Sequence, residues 1–244
     1  MSHKHGEAVW YNIHPDKDVL HDHPWGDMSQ VANAAAIISL LPKAPCKVLD
    51  AGCADGHLSH FMSLCGYEVT GGDVCEDVLN TTRNLQVKWN KKTSTAQFKV
   101  LDYDELAGNE WDAIVFSGSL HHSRDQVKTL RSAYNALKPG GVLVASEPGM
   151  FHGSSHFAKD WANKMDVTEE STPPWRTALR GWQIGFRRIK VYPNPVTLHK
   201  VAYQMDGLST HPVIKSILSF PFGLQAVVSA KWLHGLIRMQ KILP

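Results

Sequence analysis

Between residues 27 and 205, short apolar runs with the look of buried strands alternate with helical stretches. That alternation constrains the fold more than any other feature, because strand–helix–strand repeats imply a parallel sheet with helices on both faces. Asp27 and Ser29 can cap a helix through Val31, Ala35, Ile38 and Leu41 that Pro42 stops. Lys47 to Ala51 then reads as a short buried strand, opening into the turn Gly52-Cys53-Ala54-Asp55-Gly56 and a helix through Leu58, Phe61, Met62 and Cys65. Tyr67 to Gly71 is a second strand that runs out at Asp73, with a helix expected from about Glu76. Gln97 to Leu101 and Asp112 to Phe116 are the third and fourth strands. A helix over about 125–137 should stop at Lys138-Pro139-Gly140-Gly141, and Gly141 to Ser146 is the fifth strand. Residues 185–192 and 196–204, turned at Pro193-Asn194-Pro195, read as an antiparallel hairpin closing the sheet.

In an open sheet of this kind ligands bind beyond the carboxyl ends of the strands. That rule singles out Asp50, Asp73, Asp102, Ser117 and Glu147. Gly52, Ala54 and Gly56 supply the small residues that let backbone approach a ligand after the first strand. Asp73 lies 23 residues beyond Asp50, near the spacing at which an acid meets ribose hydroxyls. A nicotinamide dinucleotide would call for a G-x-G-x-x-G turn with its pyrophosphate on the helix N-terminus. Here the third small residue comes sooner, and Asp55 at the helix start would repel phosphate.

Val48 to Gly56 resembles the first motif of class I S-adenosylmethionine-dependent methyltransferases. Val69-Thr70-Gly71-Gly72-Asp73-Val74 is similar to their ribose-binding motif, and Leu101-Asp102-Tyr103 to their adenine-contacting position. Asp112 to Phe116 and Leu137 to Leu143 resemble the fourth strand and the entry to the fifth. Ala54 departs from the pattern, since many members have glycine there. The resemblance implies a Rossmann-like, doubly wound α/β fold, with a mostly parallel sheet ending in an antiparallel hairpin. It implies S-adenosylmethionine as cofactor, with Asp50, Gly52, Cys53 and Gly56 around its methionine part. Asp73 would hold the ribose and Val74 would pack on the adenine. Leu101, Asp102 and Tyr103 would surround that base, with Asp102 accepting its amino hydrogen, and Ser117 would complete the set.

Methyl transfer from a sulfonium is an in-line displacement in which holding the nucleophile close does most of the work. A hydroxyl acceptor also needs a base, and a histidine near its ordinary pKa suits that at neutral pH. His121 and His122, in the loop after the fourth strand, are the catalytic candidates; loop architecture is their other use. His152 and His156 rank second, with His14 and Glu147 as fallbacks. The segment after the fourth strand lacks the Pro-Pro-Tyr string of amino-methyltransferases of DNA and protein glutamine. Ser117 and Glu147-Pro148 make a poor magnesium set, so no metal is expected. His3, His5, His21 and His23 have no cysteine partners for a metal either.

A net charge of +2, spread along the chain, argues against a nucleic-acid partner. The four cysteines, Cys46, Cys53, Cys65 and Cys75, form neither a zinc spacing nor a disulfide framework. Met1 to Trp10 is polar, so no signal peptide is expected there. Residues 1–26 carry Trp10, Tyr11 and Trp25, which suit a lid over a sulfonium. No apolar run reaches the roughly 18–20 residues of a membrane span, so a cytoplasmic protein is the default expectation. Residues 206–244 read as a helical tail, with Lys231, His234, Arg238 and Lys241 on one face. Such a face leaves open docking on the domain, peripheral contact with a membrane, or a second copy. Three zones follow: a lid at 1–26, a cofactor-binding domain at 27–205 and an appendage at 206–244. The expected activity is methylation of a small-molecule hydroxyl by a monomer or homodimer. The alternatives are N- or C-methylation, an RNA or protein acceptor, and a non-catalytic cofactor binder.

Overall fold

The computed structural model describes residues 28–80, 82, 94–165, 167–195 and 235–242. Its strands are β1 (Lys47–Ala51), β2 (Glu68–Asp73), β3 (Gln97–Val100), β4 (Trp111–Ser117), β5 (Leu137–Ser146), β6 (Phe186–Tyr192) and β7 (Leu236–Lys241). They form one sheet in the order β3-β2-β1-β4-β5-β7-β6. β1 to β5 pair in parallel, and β7 runs antiparallel to both β5 and β6. The order reverses between β1 and β4, so the carboxyl ends of those strands open the crevice in which such sheets bind ligands. The helices are α1 (Met28–Leu40), α2 (His57–Leu64), α3 (Gln126–Ala136), α4 (His156–Met165) and α5 (Pro174–Ile184).

Successive strand residues face opposite ways, and the two faces bury separate cores. Leu49, Ala51, Ile114, Phe116, Leu143 and Ala145 pack on one side, with Leu130, Ala133 and Phe186. Val48, Val69, Ala113, Val115, Val142 and Val144 pack on the other, with Ile37 and Met62. Asp125 caps α3 by accepting from the Val127 and Lys128 amides at 3.0 and 3.1 Å. β5 starts directly at Leu137, and its register with β4 slips between Trp111 and Ala113. Lys138 to Gly141, expected to separate helix from strand, therefore lies within the strand at this irregularity.

The end of the chain departs further from expectation. Leu236–Lys241 is not the helical tail predicted for this stretch but a strand between β5 and β6. Its alternation explains this. Leu236 enters one core, and Ile237 and Met239 enter the other, whereas one face of a helix could not serve both. Arg238 and Lys241, expected on a basic face, cap backbone instead. Arg238 donates to the Leu40 carbonyl at 2.9 Å, and Lys241 to the Leu137 carbonyl at 2.7 Å. The strand expected at 196–204 lies outside the described residues, as do Lys231 and His234, and β6 takes Leu236–Lys241 as its antiparallel partner. The segment 1–26, with its lid aromatics and histidines, also lies outside them. No helix among the described residues is long and apolar enough to cross a membrane.

Candidate functional site

The turn from β1 into α2 needs three consecutive alternate residues at positive φ, namely Gly52 (75°), Ala54 (45°) and Gly56 (74°). The amides of Gly52 and Cys53 both donate to the Gly72 carbonyl on β2, at 2.8 and 3.1 Å. Ala54, where a glycine would be unstrained, is held by its own contacts. Its amide donates to Asp73 Oδ2 at 3.2 Å, and its carbonyl accepts from Thr82 Oγ1 at 2.8 Å. A Cβ on Gly52 would come within 2.5 Å of Ser119 Cβ. Ser119 cannot easily retreat, because its hydroxyl donates to the Ala51 carbonyl at 2.6 Å. Gly52→Ala should therefore destabilise the fold by at least the roughly 1–2 kcal/mol that a left-handed backbone costs a residue with Cβ. Urea denaturation of the purified variant measures this, and an unchanged midpoint would contradict the close approach.

Two cavities meet at Gly52, Ala54 and Gly118. The larger, about 550 Å³, is walled by Asp50, Cys53, Asp55, Ser117 and Glu147, with Gln30 and Asn33 of α1 above them. The smaller, about 110 Å³, is walled by Asp73, Val74, Tyr103, Ser119 and His122. Burial pushes the Asp50 carboxyl up to about 6; the Ser59 hydroxyl opposes that by donating to it at 2.6 Å, while the charges of Asp55 and Asp73 add to it. The larger cavity thus gathers carboxylates and suits a cation. Asp73 is held by two backbone donors, the Ala54 amide and the Cys75 amide at 3.0 Å. These contacts fix the carboxylate at the end of β2, on the wall of the smaller cavity.

Three expected residues stand apart from this pair of cavities. Gly56 packs against Thr82 and Phe98, where a Cβ would lie 2.6–2.8 Å from their atoms. Leu101 backs onto Gly72. Asp102 is exposed and accepts from the Asp104 amide at 2.9 Å, capping a short helical turn. Leu101 and Asp102 border a different opening, with Glu105 and Trp111.

The loop after β4 brings the histidines to a buried ionic cluster. Glu147, 5% exposed, accepts from the backbone of Ser119, Leu120 and His121 and from His121 Nδ1 at 2.8 Å. His122 lies against His121 with ring centres 3.9 Å apart and planes tilted by 40°, and its Nδ1 lies 2.9 Å from the Thr168 carbonyl. Glu169, also 5% exposed, is 2.6 Å from His152 Nε2, 3.6 Å from His121 Nε2 and 3.5 Å from His122 Nδ1. Burial pushes its carboxyl up, but the His152 hydrogen bond and the three imidazoles outweigh that and leave it below its ordinary value. His156, exposed at the start of α4, takes no part, and His14 lies outside the described residues.

Glu169 has no periodic or motif signal in the sequence; only folding brings it beneath the histidines. Asn33 was also missed, although an amide among the alanines of α1 was a clue. Its Nδ2 donates to Ser117 Oγ at 3.3 Å, and its Oδ1 accepts from Ser146 Oγ at 2.6 Å, tying together the ends of β4 and β5.

The strand order, the left-handed turn after β1 and the acids at the strand ends define a Rossmann-like methyltransferase fold. The methyltransferase domain family matches residues 27–200, and the chain belongs to that family. A ubiquinone biosynthesis O-methyltransferase of Hydrogenovibrio crunogenus is 32% identical over 99 residues, 41% of each chain. The chain thus spans about two fifths of the length of that relative. An uncharacterized methyltransferase of Mycobacterium tuberculosis is 25% identical over 81% of this chain and 93% of its own. Among solved structures, the methyltransferase bound to the Haloferax volcanii Trm112 methyltransferase activator superposes with a TM-score of 0.66. The match covers 100% of this chain and 99% of that one at 14% identity, a likeness of fold.

Proposed function

We propose that the chain binds S-adenosylmethionine across the two cavities and transfers its methyl group to a hydroxyl of a small molecule. The observation that carries this reading is the junction at Gly52, where a cation-suited cavity meets one that offers a held carboxylate and a tyrosine. The sulfonium and ammonium charges fit beside Asp50. Gly52 lets the chain of the cofactor pass, and Ser117 and Cys53 line the same space. The ribose diol fits Asp73 as a charge-assisted pair of hydrogen bonds, with the adenine between Val74 and Tyr103. Leu101, Asp102 and Gly56 support this geometry from behind or beside it.

The acceptor oxygen attacks the methyl carbon in line with the carbon–sulfur bond, whose electron pair stays on sulfur as S-adenosylhomocysteine leaves. The hydroxyl proton goes to the His121–His122 loop. His122 is the better placed of the two, because it forms part of the cavity wall while His121 lies behind it, tied to Glu147. O-methylation is further supported by the named activity of the ubiquinone-pathway relative.

Incubation with S-adenosylmethionine and a panel of phenols, sugars and hydroxylated lipids should yield S-adenosylhomocysteine with at least one acceptor. Calorimetry showing no cofactor binding by the wild type would overturn the reading. Asp73→Ala should weaken cofactor binding by about 1.5–3 kcal/mol, the scale of a hydrogen bond to a charged group, or about 10- to 150-fold. Asp73→Asn, which keeps one acceptor oxygen, should lose less. Equal affinity in Asp73→Ala and wild type would remove the ribose from this position.

A further inference from the structure

We propose that His121, His122 and Glu169 hold a divalent transition-metal ion, zinc(II) by preference, with His152 as fourth ligand. The sequence led to the opposite expectation, because the carboxylate that completes the set comes from a segment with no recognisable motif. One ligand atom from each of the first three residues lies within 4.8 Å of the others. His121 Nε2 and His122 Nδ1 stand 3.6 and 3.5 Å from the Glu169 oxygens. Those separations exceed good hydrogen bonds. His121 faces Oε2 and His122 faces Oε1, each at about the separation of neighbouring ligands around an ion with bonds of roughly 2.0–2.2 Å.

The surroundings supply what a metal site needs beyond its ligands. Glu147 takes the Nδ1 side of His121 at 2.8 Å, so a neutral His121 that donates from Nδ1 would offer Nε2 to a metal, as in carboxylate–histidine–metal arrangements. The three loops that bring the ligands are braced on one another. The Glu170 amide donates to the His121 carbonyl at 3.0 Å, and the Gly153 amide to Ser171 Oγ at 3.1 Å. Two carboxylate side chains, each 5% exposed, would balance a divalent ion once the imidazoles are neutral, as metal ligation requires. Imidazole nitrogens with one carboxylate suit zinc or cobalt, whereas magnesium and calcium prefer all-oxygen sets. Loading exchanges two present contacts, His122 Nδ1 to the Thr168 carbonyl and His152 Nε2 to Glu169.

Metal binding follows from this geometry alone and does not require that the chain methylate anything. Where both hold, His122 puts the ion at the edge of the smaller cavity. There it would acidify an acceptor hydroxyl, the task otherwise left to a free imidazole.

The test is titration of the full chain, stripped by a chelator and dialysed, with zinc chloride and separately with cobalt chloride. One equivalent of zinc should bind, and cobalt should develop the visible absorption of a four-coordinate site. Glu169→Gln and His152→Ala should each lower zinc affinity at least 10-fold. Glu147→Gln, which only orients His121, should cost about 10- to 100-fold. Circular dichroism checks that each variant is folded. Magnesium should not displace cobalt. Absence of stoichiometric zinc binding by the folded wild type overturns the proposal. So does zinc binding unchanged in both Glu169→Gln and His152→Ala, which would place the ion elsewhere on the chain. Neither result bears on cofactor binding, which calorimetry with S-adenosylmethionine reads separately.

Discussion

Replacing His122 with alanine should lower turnover on the true acceptor by about 10²- to 10⁴-fold, the usual share of general acid–base catalysis, while S-adenosylmethionine affinity barely changes. The separation follows from position. His122 lines the same cavity as Asp73 but lies outside the turn from Gly52 to Gly56. His121→Ala should also lower turnover, but with a cost in stability, because it strips one of four donors from buried Glu147. His121→Asn, which retains a side-chain donor, should recover some of that stability and little of the rate. Single-turnover kinetics with saturating cofactor separates the chemical step from binding. Removing the metal then divides the two accounts of deprotonation. If the imidazole itself takes the proton, metal-free protein keeps its rate. If an ion acidifies the hydroxyl, the rate falls with chelation and returns with zinc. Near-normal turnover in both histidine variants would make this loop architecture alone.

The parts of the fold that could be read from sequence are those in which local pattern and tertiary role agree. β1 carries Val48, Leu49 and Ala51 because it is buried on both faces, and its strand, turn and helix are contiguous in the chain. The acids at its end and at the end of β2 are legible for the same reason, since each sits at a boundary that the apolar pattern marks. β7 was not legible. Lys231, His234, Arg238 and Lys241, at spacings of three and four, suggested a helix through this stretch, but Leu236, Ile237 and Met239 are distributed between two cores, and only the gap between β5 and β6 decides that. Glu169 fails in the same way. Its sequence neighbours say nothing, and its role is set by His121, His122 and His152, which arrive from two other loops. Asp102 shows the converse. Its place after β3 was read correctly, yet its carboxylate is exposed, caps a short helical turn and borders a different opening from the one Asp73 lines.

Asp50→Asn should make the protein more stable at neutral pH and a poorer binder of S-adenosylmethionine. Asp50 is 2% exposed, and burial raises its carboxyl from 3.8 to about 6, with the charges of Asp55 and Asp73 adding to the effect and the Ser59 hydroxyl opposing it. An acid whose pKa is raised by folding favours the folded state in its neutral form. The resulting advantage is fully present below about 4, declines as the pH rises toward 6 and is gone above it. A shift of about two units corresponds to about 3 kcal/mol, borne by the ionised wild type at pH 7 and removed by asparagine. The gap in unfolding free energy between variant and wild type should therefore open between pH 4 and pH 7. The cofactor reverses the account. Its positive charges favour the ionised carboxylate, so wild-type affinity should fall as the pH drops through 6, whereas the variant binds weakly at every pH in that range. Chemical denaturation and calorimetry at pH 4.5, 6 and 7.5 give both curves. A variant less stable than wild type at pH 7.5 would show that the Ser59 hydrogen bond outweighs burial. Parallel affinity curves for the two proteins would move the cofactor's charge away from Asp50.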